Sequence, residues 1–192
     1  MVHIIGVDHL VQYSGPVPEP LRREFRDFLV ARGRGLGVGL VAEEFSREAL
    51  HDVYRAARDT AMEAARRLGV PHRFCDPEEP DMRRLGIPYF AELVELVKKR
   101  RGITDRFILD RALREGVRRE ATELARSHWR TRESFWHDRI APDIGASVLF
   151  ICGHEHAMRF RDLVVERGQE ARVIEPFWRK DVFSDYANLG LD

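Results

Sequence analysis

Two tetrapeptides of one pattern, Gly6-Val7-Asp8-His9 and Gly153-His154-Glu155-His156, stand near opposite ends of a chain of 192 residues. Each follows a short apolar run, residues 2–5 in the first case and 148–152 in the second. An apolar run closed by glycine reads as a buried strand that ends in a turn. A histidine three residues past that glycine is a base, a metal ligand or a hydrogen-bonding anchor. Histidines from two distant strand ends meet only in the folded protein, which is how active sites are assembled. His9 and His156 are therefore the leading candidates, with Gly6, Gly153, His154 and Glu155 as their immediate frame. The glycines would let the backbone turn sharply with no Cβ in the way. A single histidine at a strand end is more often an ordinary hydrogen-bonded side chain. Recurrence of the same spacing after two separate strands favours function.

Acidic partners come from a third apolar run at residues 40–42, which ends on Glu43-Glu44. One of the two, Glu43 or Glu44, would share the histidine pocket; the plain alternative is an acidic helix start. Asp76 closes a fourth run, 72–75, at the same sheet end. Imidazoles and carboxylates so gathered are the ligand types of a Zn, Mn or Co site. They serve equally as a general base with an orienting acid.

The elements that must position these groups alternate. Strands are expected at Val2–Val7, 39–42, 72–75, 146–152 and 171–174. Helices are expected at 21–32, at 46–68 with Ser46 as N-cap and Gly69 as C-cap, and at 157–168. The fold class this predicts is α/β, a mainly parallel sheet with flanking helices and a helical insert before the last strands. Residues 1–192 form a single α/β domain, with 82–142 as the insert and 177–192 as an aromatic C-terminal tail. Phe177, Trp178, Phe183 and Tyr186 in that tail either pack on the domain or dock a second copy as a homo-oligomer. Active sites of parallel α/β sheets lie at the carboxyl ends of the strands.

Composition excludes several classes. With 32 basic and 32 acidic residues there is no charge excess to draw the chain to nucleic acid or to an anionic membrane. No apolar run approaches a membrane span, and the N-terminal residues lack the pattern of a signal peptide. Two remote cysteines make no disulfide framework or zinc knuckle, which fits a cytoplasmic location. The glycines of 33–39 precede a strand, so they do not form a phosphate loop. His154-Glu155-His156 is not HExxH, and there is no GxSxG elbow.

The order of elements resembles the superfamily of TraB, Tiki, the ChaN-like haem-binding proteins and the erythromycin esterases. Its two Gly-x-x-His motifs are similar to Gly6–His9 and Gly153–His156. Its strand-terminal glutamate resembles Glu43 in Leu40-Val41-Ala42-Glu43-Glu44-Phe45, and its arginine resembles Arg132 in Arg132-Glu133-Ser134-Phe135-Trp136. The resemblance implies an α/β core with His9, Glu43, Arg132 and His156 converging on one pocket. It also implies metal-dependent peptidase or esterase chemistry on a small-molecule or peptide substrate. His9, Glu43 and His156 would then hold the divalent ion, and Arg132 a substrate carboxylate or oxyanion. The alternative it implies is a non-catalytic small-molecule or haem-binding protein using the same pocket.

Overall fold

The computed structural model describes residues 1–12, 17–53, 59–104, 108 and 110–182. Five strands form one sheet in the order β3-β2-β4-β1-β5, every neighbouring pair parallel. They are β1 (Val2–Val7), β2 (Leu40–Glu43), β3 (His72–Phe74), β4 (Val148–Gly153) and β5 (Ala171–Glu175). The helices are α1 (Glu19–Leu36), α2 (Thr60–Leu68), α3 (Glu79–Leu85), α4 (Phe90–Arg100), α5 (Arg111–Arg126), α6 (Trp129–Ile140) and α7 (His154–Glu166). The α/β class and the parallel sheet expected from the sequence are both present.

Alternation along the strands builds two layers of core. Ile5, Val7, Val41, Leu149 and Ile151 point to one face and pack with Phe25 and Leu29 of α1 and Ala61, Ala64 and Ala65 of α2. Ile4, Leu40, Ala42, Phe150 and Cys152 point to the other, against Trp136 and Ile140 of α6 and Ala157, Phe160 and Val164 of α7. Strands that are apolar on both faces belong in a sheet covered on both sides. Cys75 and Cys152 are buried free thiols, and burial pushes the Cys75 thiol up to about 12. No helix among the described residues is long and apolar enough to cross a membrane.

The chain divides into two compact units, residues 1–76 with 133–192, and residues 77–132. The compact helical unit thus begins at 77 and ends at 132, shifted toward the N-terminus from the expected 82–142. Its end falls inside α6, because Trp136 and Ile140 belong to the core of the sheet. The insert has its own core of Leu93 and Val97 from α4 with Val117 and Ala121 from α5.

One expectation needs correction. The single helix over 46–68 does not run through: the backbone is extended at Asp59, which caps a new helix by accepting from the Met62 amide. Ser46 does cap the segment before it, accepting from Ala49 N at 3.0 Å, and Gly69 closes α2 with φ 71°. Residues 54–58 of that expected helix lie outside the described residues. In the tail, Trp178 is buried against Phe25, ring centroids 4.8 Å apart, so this part of it packs on its own domain. Phe183 and Tyr186 lie outside the described residues.

Candidate functional site

β4 lies between β1 and β2, so the carboxyl ends of three adjacent strands deliver the candidate residues side by side. Val7 pairs with Gly153, and Glu43 with Ile151. After β1 the chain enters a short 3-10 turn, His9–Val11, capped by Asp8, whose Oδ1 accepts from Leu10 N at 2.9 Å. After β4 it enters α7 directly, so His154, Glu155 and His156 form the first turn of that helix. Val7, Asp8, His9, Gly153, His154, Glu155 and His156 together line a pocket of about 130 Å³. Both Gly-x-x-His motifs thus border one cavity.

The glycines are needed for proximity rather than for a turn. Gly153 has an ordinary φ of −53°, but a Cβ there would meet His9 Nε2 at 2.7 Å. A Cβ on Gly6 would stand 2.1 Å from the Pro176 carbonyl oxygen. The turn-making role expected for them does not apply.

The adjacent glutamates serve different faces of the sheet. Glu43 follows the alternation of Val41, and its carboxylate meets Gln12 and His72 on the α1–α2 side. Glu44 points the other way, where α6 and α7 pack. Its Oε2 accepts from Gly153 N at 2.8 Å and lies 3.9 Å from His9 Nε2, while Oε1 lies 3.7 Å from His156 Nε2. Glu44 is therefore the glutamate that stands between the two histidines, and Glu43 belongs to a buried cluster beside them.

Hydrogen bonds on the far side of each ring fix what it offers. Gln12 Nε2 donates to Glu43 Oε2 at 3.0 Å, which turns Gln12 Oε1 toward His9. That oxygen can only accept, so His9 Nδ1 carries a proton and donates to it at 2.8 Å. Likewise His156 Nδ1 donates to Glu133 Oε1 at 2.9 Å, and Arg159 Nε donates to the same oxygen at 3.2 Å. In the neutral rings both Nε2 atoms then present lone pairs on the side of Glu44. Glu133 is fully buried and His156 nearly so, and Trp136 meets the His156 ring edge-on at 5.1 Å. Trp136 is itself held by donating Nε1–H to Asp76 at 2.9 Å. Asp76, which the sequence places at this sheet end in an acidic turn, thus lies one step behind the histidines.

His154 and Glu155 are exposed at the mouth, with His154 stacked flat on Phe177 at 3.9 Å. Arg132 is half-buried and belongs to the helical unit, and the residue α6 delivers to His156 is its neighbour Glu133. Four residues of the network were not singled out in the sequence: Gln12, Asp59, His72 and Glu133. Glu133 stood inside the arginine element, and Asp59 lies where the stripe of a long helix masked an N-cap.

The metal set expected from the sequence, His9, Glu43 and His156, is not gathered as such. Among the described residues, the trio whose ligating atoms all lie within 4.8 Å of one another is Glu43, Asp59 and His72. Burial raises the Glu43 carboxyl to about 7. Burial, and then the charge of Glu43, push Asp59 well above the usual carboxylate range, while burial lowers His72.

Comparison of the chain with protein-family models, with curated proteins and with solved structures finds no match in any of the three.

Proposed function

We propose that the protein is a hydrolase acting on an ester or peptide carbonyl in the pocket between the two Gly-x-x-His motifs. One observation carries the reading: His156 is held by Glu133 through Nδ1 at 2.9 Å and turns Nε2 toward the Glu44 carboxylate at 3.7 Å. A buried carboxylate behind an imidazole sets its tautomer and stabilises the imidazolium that forms when it takes a proton. His156 Nε2 removes a proton from water as the water oxygen bonds to the carbonyl carbon. The same proton then passes to the leaving oxygen or nitrogen as its bond to that carbon breaks. Negative charge on the carbonyl oxygen is met by the first-turn amides of α7, whose helix end favours anions. In this account those amides take the place that the resemblance gave to Arg132. His9, its Nδ1 tied to Gln12, faces the same water from the neighbouring strand end.

The donor set His9 Nε2, Glu44 and His156 Nε2 suits a divalent ion such as Zn, Mn or Co in type. Tetrahedral bonds of about 2.0–2.1 Å place donor atoms roughly 3.4 Å apart. Glu44 now stands 3.9 Å from His9 Nε2 through Oε2 and 3.7 Å from His156 Nε2 through Oε1, and the three groups do not all lie within 4.8 Å of one another, so both rings would have to close on the ion. Such an ion would lower the pKa of the attacking water and polarise the carbonyl. The resemblance to TraB, Tiki and the erythromycin esterases points the same way, with Glu44 in the place of the strand-terminal glutamate.

The rival reading is a protein that binds a small molecule or haem without turnover. The pocket's volume of about 130 Å³ favours hydrolysis of a small group entering from solvent over enclosure of a macrocycle. Drug-sized ligands occupy roughly 300–1,000 Å³. The test is turnover of a panel of small esters and dipeptides by the wild-type protein and by His156→Ala, with far-UV circular dichroism as the folding control. The proposal predicts loss of at least ~10²-fold in kcat/KM. Equal rates in a folded variant would overturn it.

A further inference from the structure

Glu43, Asp59 and His72 form a second constellation that the hydrolytic mechanism does not use. They come from three elements: the end of β2, the N-cap of α2 and the start of β3. His72 pairs in register with Val41, and in-register neighbours of a parallel sheet share a face, so its ring lies beside the Glu43 side chain two residues on. The His72 Nε2 to Glu43 Oε1 distance is 2.7 Å. Asp59 is brought in by the break that separates α2 from the segment before it. One of its oxygens, Oδ1, caps α2 by accepting from Met62 N. The other, Oδ2, is buried with no hydrogen-bond donor to meet it among the described residues. Glu43 is fully buried and Asp59 is 2 % exposed.

Two carboxyl groups this deeply buried and hydrogen-bonded to each other hold either a shared proton or a cation between them. The ring of His72 faces them on one side, and among the described residues no Lys or Arg bonds to either. We infer that Glu43, Asp59 and His72 form a binding site for one divalent transition-metal ion, Zn or Mn, distinct from the histidine pocket. Two carboxylate oxygens and one imidazole nitrogen match the donor preferences of those ions, while Ca and Mg prefer oxygen alone. The ion would replace the proton that now lies between His72 Nε2 and Glu43 Oε1. Two carboxylates and a divalent cation sum to zero charge, which suits a buried site.

The position also gives the ion a role. Glu43 Oε2 accepts from Gln12, and Gln12 accepts from His9 Nδ1. An ion that holds Glu43 ionised therefore holds Gln12, and through it the His9 tautomer that presents Nε2 to the pocket. Partners one step removed from the reacting group are worth about 10–100-fold in affinity or activity in metal sites. This link to His9 rests on the hydrolase reading; the ion site itself does not.

The test uses the full chain stripped with chelator, dialysed, and titrated with Zn²⁺ or Mn²⁺ alone. Bound metal is counted by elemental analysis and affinity is read by calorimetry. The parallel variants are His72→Ala, Glu43→Gln and His156→Ala. The inference predicts one tight equivalent that survives His156→Ala and weakens at least ~10-fold in both His72→Ala and Glu43→Gln. Stoichiometry and affinity unchanged in those two variants would overturn it. So would a wild-type protein that binds neither ion, in which case the carboxyl pair holds a proton instead. Should a variant fail to fold, Co²⁺ added to the wild-type protein supplies the readout. Ligand-field bands of a nitrogen–oxygen donor set that persist in His156→Ala support the site, and their loss in that variant assigns the ion to the pocket. Loss of the ion site with activity intact leaves the hydrolase reading standing, and loss of activity in His156→Ala leaves the ion site standing.

Discussion

Gly153 lies so close to His9 that a Cβ added to it would stand 2.7 Å from the imidazole Nε2. The obstructing atom is the end of a movable side chain, so the ring can yield while the backbone stays in place. At Gly6 the obstruction is the Pro176 carbonyl at 2.1 Å, and backbone cannot yield cheaply. Gly6→Ala should therefore cost roughly 1–3 kcal/mol of stability by overpacking. Gly153→Ala should cost less and instead lower kcat/KM about 100-fold by displacing His9. Denaturant unfolding and steady-state kinetics on the two variants separate these outcomes.

Glu43 provides a pH prediction for protein held in chelator. Its carboxyl is raised by burial from 4.5 to about 7 in the folded state, so the folded protein binds the proton more tightly than the unfolded chain does. Its contribution to stability is thus fully present below about pH 4.5 and is lost as pH rises to about 7. The difference is roughly 3 kcal/mol. Glu43→Gln removes this titration, so the stability of wild type relative to the variant should fall across that window. The check is denaturant unfolding of both proteins from pH 4 to pH 8.

Glu133 acts through His156 and is a positioning residue. Glu133→Gln keeps a hydrogen-bond acceptor but removes the charge that stabilises the imidazolium. It should lower kcat/KM by on the order of 10²-fold. It should also move the acid limb of the pH–rate profile to lower pH, a shift that a merely structural role would not produce. An unmoved limb would remove Glu133 from the catalytic account.

Trp178 anchors the segment after β5 by packing on Phe25 at 4.8 Å and donating its backbone N–H to Gly6 O at 2.9 Å. Trp178→Ala should destabilise the protein by about 3–5 kcal/mol. Thermal or denaturant unfolding measures this directly.

Much of the fold was legible because it is written in short-range periodicity. Five apolar runs set the five strands, and the sheet rule brought His9 and His156 to one edge. What periodicity does not encode is which side chains meet across the sheet. Glu43 ends β2 and Glu44 comes directly after it, and only the pairing of β2 with β4 shows that Glu44 is the one between the histidines. Asp59 was hidden because Leu50, Ala61, Ala64 and Ala65 sustain a helical stripe across the break it makes. Glu133 was hidden by its neighbour: one residue along α6 changes the direction of a side chain by about 100°. Gln12 carried no signal, since a lone amide has no spacing to read.

The central claim is that His9 and His156, delivered by two copies of one motif, work as a unit in one pocket. A double-mutant cycle on kcat/KM tests it, using His9→Ala, His156→Ala and the double variant, each checked for folding by circular dichroism. Residues that act as a unit are strongly non-additive. The account predicts that the double variant is little slower than His156→Ala alone. Losses that multiply as independent effects would contradict it.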